Sequence, residues 1–371
     1  MTLYQDGNAA VAGSFVSLHL PPYIPQHTKP LIQNTFLDAI DSSYCGGDNH
    51  AFDPSFPSSN SGGYQGSEMC GTYGVTQVIS SSYAWSEAQF SSEPDPSDPS
   101  AHWVESFYYL DRQCMEYMKL GLMGSTLLFA SGDHGAAGND GWCAAYDPAV
   151  DYDDFYYYLE DQGGYFTPLF PATCPYVTAV GATQLGDGGS LPEVAGQWTG
   201  ESGEAVGSSG GFSNVFPMPA YQADAVGAYW NNGYAPNYGN GPWTNSNQDG
   251  YPMYNTSQTT RGIPDISANG VSWLVFEDGN GLGVYGTSLS TPLYGTLFTM
   301  INQQRALIGK GPVGFVNPVL YANADAFTDI TEGCGGGCGT DGFCAEPGWD
   351  PVTGLGTPKY EQLLAIYLAL P

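Results

Sequence analysis

The chain has 371 residues, of which 42% are hydrophobic, enough to bury a large core and to exclude a disordered chain. Its 37 acidic residues against 7 basic ones give a formal net charge of −30 at pH 7, which argues against nucleic acid and anionic membrane as partners. The same imbalance suits work in acid, where protonation of carboxylates relieves self-repulsion, and no stretch is apolar enough to span a membrane.

The chain opens with "MTLYQDGNAAVAGSFVSLHLPP", which has neither the basic nor the apolar region of a secretion signal. Residues 75–85, "VTQVISSSYAW", predict a buried strand, and 91–100, "SSEPDPSDPS", a Pro- and acid-rich surface loop. An amphipathic helix ended by glycine follows over 102–124, then a strand over 125–133 that stops at a Gly-Asp corner. Strand, helix, strand at this spacing is a crossover unit of a parallel sheet. From 145 to 260, Gly, Tyr, Asn and Pro dominate, which predicts long loops with short β pieces such as 176–183. In "VYGTSLSTP" (284–292), Ser288 falls where a strand turns into a helix, with Pro292 in the first turn and apolar Leu293, Leu297, Met300 and Ile301 at helical spacing. A helix N-terminus offers free N–H groups and partial positive charge to an oxyanion formed beside it.

Eight cysteines, Cys45, Cys70, Cys114, Cys143, Cys174, Cys334, Cys338 and Cys344, form an even set in a lysine-poor chain and read as oxidised and extracellular. "CGGGCGTDGFC" lacks a second Cys/His pair of matching spacing, so thiolate zinc is not expected. The sequon at Asn255 agrees with secretion.

"FASGDHG" (129–135), "GGFSNVFPMPAYQ" (210–222), "YGTSLSTP" (285–292), "DITEGC" (329–334) and "GWDPVTGLGTP" (348–358), in this order, resemble the sedolisins, the serine-carboxyl peptidases, and most closely their fungal endopeptidases and tripeptidyl peptidases. The resemblance runs from about residue 1 to the C-terminus. It implies an α/β, subtilisin-like fold: a parallel sheet flanked by helices, with long Gly/Tyr-rich loops. Ser288 then matches the nucleophile and Asp133 the oxyanion residue. A carboxyl stabilises an oxyanion only while protonated, so acidic working conditions follow. "SSSYAW" (80–85) resembles the strand on which the family lays its substrate backbone, with Ala84 where glycine is usual.

The C-terminal pattern resembles the family's site for one Ca2+ ion, with carboxylates of Asp329 and Asp350 and carbonyls of Ile330, Glu346 and Gly348. By the same resemblance the disulfides are Cys334–Cys344, Cys143–Cys338, Cys45–Cys70 and Cys114–Cys174. The implied partners are polypeptide substrates, and the chain is expected to be a monomer and extracellular.

A serine hydroxyl needs a base. His19, His27, His50, His102 and His134 have no triad context and read as surface or loop residues. In sedolisins the base is a Glu held by an Asp four residues on along a helix. Only Glu346 and Asp350 have that spacing, and Pro347 and Gly348 forbid a regular helix there. "NTFLDAIDSSYC" offers Asn34 and Asp38, but Asn is no base, and "TLYQDG" (2–7) resembles the family strand that follows the catalytic helix. The expectation is therefore an N-terminally incomplete peptidase domain over 1–371, lacking propeptide and Glu/Asp helix. Such a chain hydrolyses peptide bonds at acidic pH when complete, as an endopeptidase or tripeptidyl peptidase, and is inactive as given. The alternative is a non-catalytic relative that binds peptide or protein.

Overall fold

A computed structural model describes residues 31–47, 56–57, 65–87, 102–138, 141–146, 155–159, 164–186, 189–199, 205–238 and 253–371. The expectations for 2–7, 91–100, His19, His27 and His50 lie outside them. No described helix is long and apolar enough to cross a membrane.

The chain divides into two compact units, one from residues 1–76 and 93–120, the other from 77–92 and 121–371. In the first, a helix over Leu31–Ile40 is followed at once by a turn of helix over Ser42–Cys45. Asp41 caps that turn by accepting from Ser43 N and Tyr44 N. Cys45–Cys70 closes the connection behind it. Asp38 is buried and accepts from the Asn34 amide at 3.4 Å, and Asn34 in turn accepts from the Tyr44 hydroxyl at 2.7 Å.

The second unit is built on a five-stranded sheet. Strands β1 (Val78–Ser81), β2 (Thr126–Ala130), β3 (Thr178–Gly186) and β5 (Ile266–Asn269) run parallel in the order β1-β2-β3-β5, and β4 (Ser190–Ala195) pairs antiparallel with β3. Every residue of β2 is buried, as the apolar run "TLLFA" requires of a central parallel strand. The sequence order strand, helix (His102–Leu122), strand agrees with the crossover expectation. The parallel sheet and α/β class are as the resemblance implied.

Two expectations need correcting. The strand foreseen over 75–85 is two strands: β1 ends at Ser81, residues 82–84 leave the sheet, and Trp85–Ser86 pairs antiparallel with Leu169–Phe170 instead. The stretch 145–260 holds more regular structure than its composition suggests, including a strand over Gly211–Pro217 and a helix over Ala223–Asn231. Several of its described aromatic residues, Phe212 and Tyr254 among them, belong to the core. The Phe212 ring lies 4.8 Å from Trp230 and 5.6 Å from Phe343, and Tyr254 lies 4.9 Å from Phe343.

A 21-residue helix, Thr287–Leu307, packs on β1, β2, β3 and β5 and on the C-terminal helix Tyr360–Ala369 through buried Tyr294, Phe298 and Ile301. Gly295 lets it approach β1 closely, since a Cβ there would sit 3.4 Å from that of Ser80. At the far side of the sheet Arg261 grips Asp265 through two bonds, 2.7 and 2.5 Å, and Asp265 also accepts from Ala179 N of β3 at 2.8 Å. Both charged groups are fully buried, and each satisfies the other. Cys143–Cys338 and Cys334–Cys344 staple the C-terminal loops, and Cys114 and Cys174 are also oxidised, so no cysteine is free.

Candidate active site

The Gly-Asp corner after β2 meets the start of the Thr287–Leu307 helix. Gly286 precedes that helix at φ 132 and, having no side chain, leaves its first N–H uncapped from within. Asp133 supplies the cap from elsewhere in the chain. Its Oδ1 accepts from Thr287 N at 2.7 Å and from Thr287 Oγ1 at 2.8 Å, while Gly132 N donates to Thr287 Oγ1 at 3.2 Å. Asp133 Oδ2 has no partner among the described residues and lies over Gly286, where an added Cβ would come within 2.8 Å of it. The corner itself is fixed by Ser209, whose N donates to Gly132 O at 2.9 Å and whose Oγ accepts from His134 N at 3.0 Å.

Burial raises the Asp133 carboxyl above the ordinary aspartate range, while the two Thr287 donors and the charge of His134 act to lower it. A raised carboxyl beside a helix N-terminus is one that stays protonated further from strong acid than an exposed Asp. As the next residue along, Ser288 is half-buried, and its Oγ makes no hydrogen bond among the described residues.

Pro292 is not in the first turn, as the sequence suggested, but is the sixth residue of the helix. Because the helix begins already at Thr287, Pro292 stands where its missing N–H would have bonded the Ser288 carbonyl. That carbonyl instead accepts from Ser82 Oγ at 3.3 Å. Ser82 belongs to "SSSYAW", so the candidate nucleophile is tied to the candidate substrate strand, and Ala84 lies in the same short break between the two strands.

Glu87 stands just past this segment, and sequence reading passed over it. It is 2% exposed, accepts from Ser213 Oγ at 2.6 Å and from Asn214 N at 2.8 Å, and burial pushes its carboxyl up to about 7. Its own N–H donates to Pro168 O at 3.0 Å. The carboxyl thus pins the end of the strand to "GGFSNVF". His134 was read as a loop or surface residue, yet it is half-buried beside Asp133, with a backbone bridge to Gly207. Thr287 and Ser82 were also missed. Only the adjacency of Thr287 to Ser288 and of His134 to Asp133 could have flagged any of them.

The residues of the expected calcium site converge. Asp329 Oδ2 accepts from Gly348 N at 2.9 Å, and Asp350 Oδ2 accepts from Glu346 N at 3.3 Å. Asp350 is fully buried, also accepts from Val352 N, Thr353 N and Thr353 Oγ1 at 2.9, 2.8 and 2.9 Å, and is raised by burial to about 7. Burial raises Asp329 as well. Among the described residues neither carboxylate has an ion-pair partner, and the carbonyls of Ile330, Glu346 and Gly348 accept no hydrogen bond. An all-oxygen donor set with two uncompensated carboxylates fits a hard divalent cation. Glu346 and Asp350 belong to this loop, and the pair is not helical.

At Asn255, the amide nitrogen that a glycan would occupy donates to Ser213 O at 3.0 Å.

No family model matches the chain. It is 42% identical over 348 residues to aorsin of Aspergillus oryzae, covering 91% of this chain and 48% of that protein. To tripeptidyl-peptidase sed1 of Aspergillus fumigatus it is 40% identical over 367 residues, covering 95% and 50%. It thus spans about half the length of the curated relatives it matches. Among solved structures it is similar in fold to Pseudomonas sedolisin, with a TM-score of 0.52 at 21% identity over 78% of this chain and 65% of that one. With the Gly-Asp corner set against the Gly-Thr-Ser helix start, these similarities show that the chain belongs to the sedolisin family of serine-type peptidases.

Proposed function

We propose that this chain carries the nucleophile and oxyanion parts of a serine-carboxyl peptidase that hydrolyses peptide bonds of polypeptides in acid. The observation that carries this reading is the Asp133 carboxyl, docked through one oxygen on the residue before Ser288, with its other oxygen unpartnered among the described residues. Ser288 Oγ attacks the scissile carbonyl carbon, and the carbonyl oxygen becomes an oxyanion. Protonated Asp133 then donates to that oxygen from a site already in place, so no reorganisation is needed during the step. By the family pattern the proton of Ser288 passes to a helix-borne Glu, a role that no described residue fills. Collapse of the intermediate breaks the C–N bond as that proton is handed on to the leaving amine, and water, giving up a proton to the same base, later releases the acyl group from Ser288 as a carboxylic acid.

The substrate backbone lies along Ser80–Trp85, whose position is held by Ser82 on one side and Glu87 on the other. Asp329, Ile330, Glu346, Gly348 and Asp350 would hold one Ca2+ ion, which would supply positive charge to the buried Asp350 and the exposed Asp329 carboxylates and stabilise the fold by binding it alone. Oxidised cysteines support an extracellular setting.

The test is proteolysis of a denatured protein by the full-length gene product across pH 3–7, parent against Ser288→Ala. Turnover that peaks in acid and vanishes in Ser288→Ala supports the peptidase. Peptide binding without turnover in a folded protein would replace it with a non-catalytic binder.

A further inference from the structure

We propose that Thr287 is a positioning residue for the oxyanion donor: its N–H and its hydroxyl together occupy Asp133 Oδ1, which assigns the catalytic proton to Asp133 Oδ2. The proposal rests on the peptidase reading above and deepens it from a residue to an atom.

A carboxyl has two oxygens, and which one carries the proton decides where it can donate. Asp133 Oδ1 accepts from Thr287 N at 2.7 Å and from Thr287 Oγ1 at 2.8 Å. The direction of the first bond is fixed, because Thr287 N can only donate. Gly132 N donates to Thr287 Oγ1 at 3.2 Å, which takes one of the hydroxyl's acceptor positions and leaves its own hydrogen to be given to Asp133. A proton on Oδ1 would face two donor hydrogens, whereas a proton on Oδ2 faces none. The side of Oδ2 is kept open by the residue beneath it. A Cβ on Gly286 would stand 2.8 Å from Oδ2, and the φ of 132 there disfavours any side chain. The carboxyl is thereby locked in rotation, with its accepting oxygen toward the helix and its donating oxygen away from it.

Thr287 acts on Asp133 in two opposed ways. It aims the O–H, which favours catalysis, and it favours the ionised carboxylate, which narrows the pH range in which the O–H exists. His134 is the one charged group among the described residues that acts on Asp133, and it pulls in the same direction as Thr287. Loss of the Thr287 hydroxyl must therefore slow the chemical step while extending it toward higher pH. A merely structural loss would do the first without the second.

The experiment compares the full-length gene product with Thr287→Val, which keeps the shape, and Thr287→Ser, which keeps the hydroxyl, on a quenched peptide across pH 3–7. For Thr287→Val the expected result is a kcat about tenfold lower with KM within about twofold, and a falling limb moved to higher pH, with Thr287→Ser restoring both. An unchanged kcat, or a lower kcat with an unmoved limb, overturns the proposal while Ser288-dependent turnover leaves the peptidase reading standing. If the parent shows no Ser288-dependent turnover, the peptidase reading fails separately. The positioning role is then decided by 13C NMR titration of the Asp133 carboxyl, which must occur at higher pH in Thr287→Val than in the parent and Thr287→Ser. Equal titrations overturn it, and Thr287→Ala replaces the valine variant should that one fail to fold.

Discussion

At Asp133, one carboxyl oxygen takes two donors from Thr287 and the other takes none among the described residues, whereas at Asp350 both oxygens are filled, two donors on each. Burial raises both acids. The difference lies in what each environment leaves over. Asp350 has spent its hydrogen-bonding capacity on the turn it organises, which leaves neither oxygen free to meet a moving substrate. Asp133 is half-satisfied at a half-exposed corner, beside a serine whose hydroxyl is unpartnered among the described residues. Incomplete satisfaction of a raised carboxyl, more than the raised pKa, separates a group able to react from one that holds structure.

The largest expected effect is on turnover. Asp133→Ala in the full-length gene product should lower kcat by about 10²- to 10³-fold, the cost of one oxyanion donor, with a stability loss limited to about 1 kcal/mol, that of one helix cap. Steady-state kinetics and a melting curve on the same preparation check it. A large fall in melting temperature with preserved kcat would place Asp133 with Asp350 as a structural acid.

Asp350→Ala should show the opposite profile. It leaves Val352 N, Thr353 N, Thr353 Oγ1 and Glu346 N without their acceptor, at a cost of about 3 kcal/mol or more, and lowers the melting temperature by several degrees. Added calcium should raise the parent's melting temperature and leave the variant's unmoved. A chelator that fails to shift the parent would refute the cation at this loop.

A smaller effect belongs to Glu87, a third buried acid whose two donors serve packing. Its folded carboxyl is raised from 4.5 to about 7, so between those values the folded chain binds a proton that the unfolded chain has released. This contribution to stability is present below about pH 4.5 and is lost as pH rises through about 7, with an upper bound of about 3 kcal/mol. Glu87→Gln imitates the protonated form and should flatten that part of the profile, measured as urea unfolding at pH 4.5 and 7.5. An unchanged slope would mean that Glu87 titrates normally.

How far the sequence revealed these arrangements depends on how far apart the partners lie. Ser288 and Asp133 were legible because each sits in a short run of turn chemistry, a strand ending in Gly-Asp and a Gly-Thr-Ser opening a helix. The sheet was legible in "TLLFA" and in the helix between two strands. The loop expected to hold calcium was read as a pattern, and within it Asp329 bonds Gly348 and Asp350 bonds Glu346. Ser82 bonding the carbonyl freed by Pro292, and Glu87 bonding Ser213, join positions more than a hundred residues apart, and neither leaves a periodicity to read. The break at 82–84 was hidden because β-propensity continues through "SSYAW" while its pairing partner changes. The aromatic stretch was misjudged because Tyr, Gly and Asn signal loops by composition, although Phe212, Trp230 and Tyr254 form core by contact.

The contrast between a working carboxyl and a structural one is tested most directly by the pH dependence of kcat/KM for Asp133→Asn against the parent, in the full-length gene product. An amide donates a hydrogen bond whether or not the solution is acidic. The parent's activity should fall as pH rises through the titration of Asp133, and the variant should keep its reduced activity across that same range. An identical falling limb in both proteins would contradict a proton-dependent donor at Asp133.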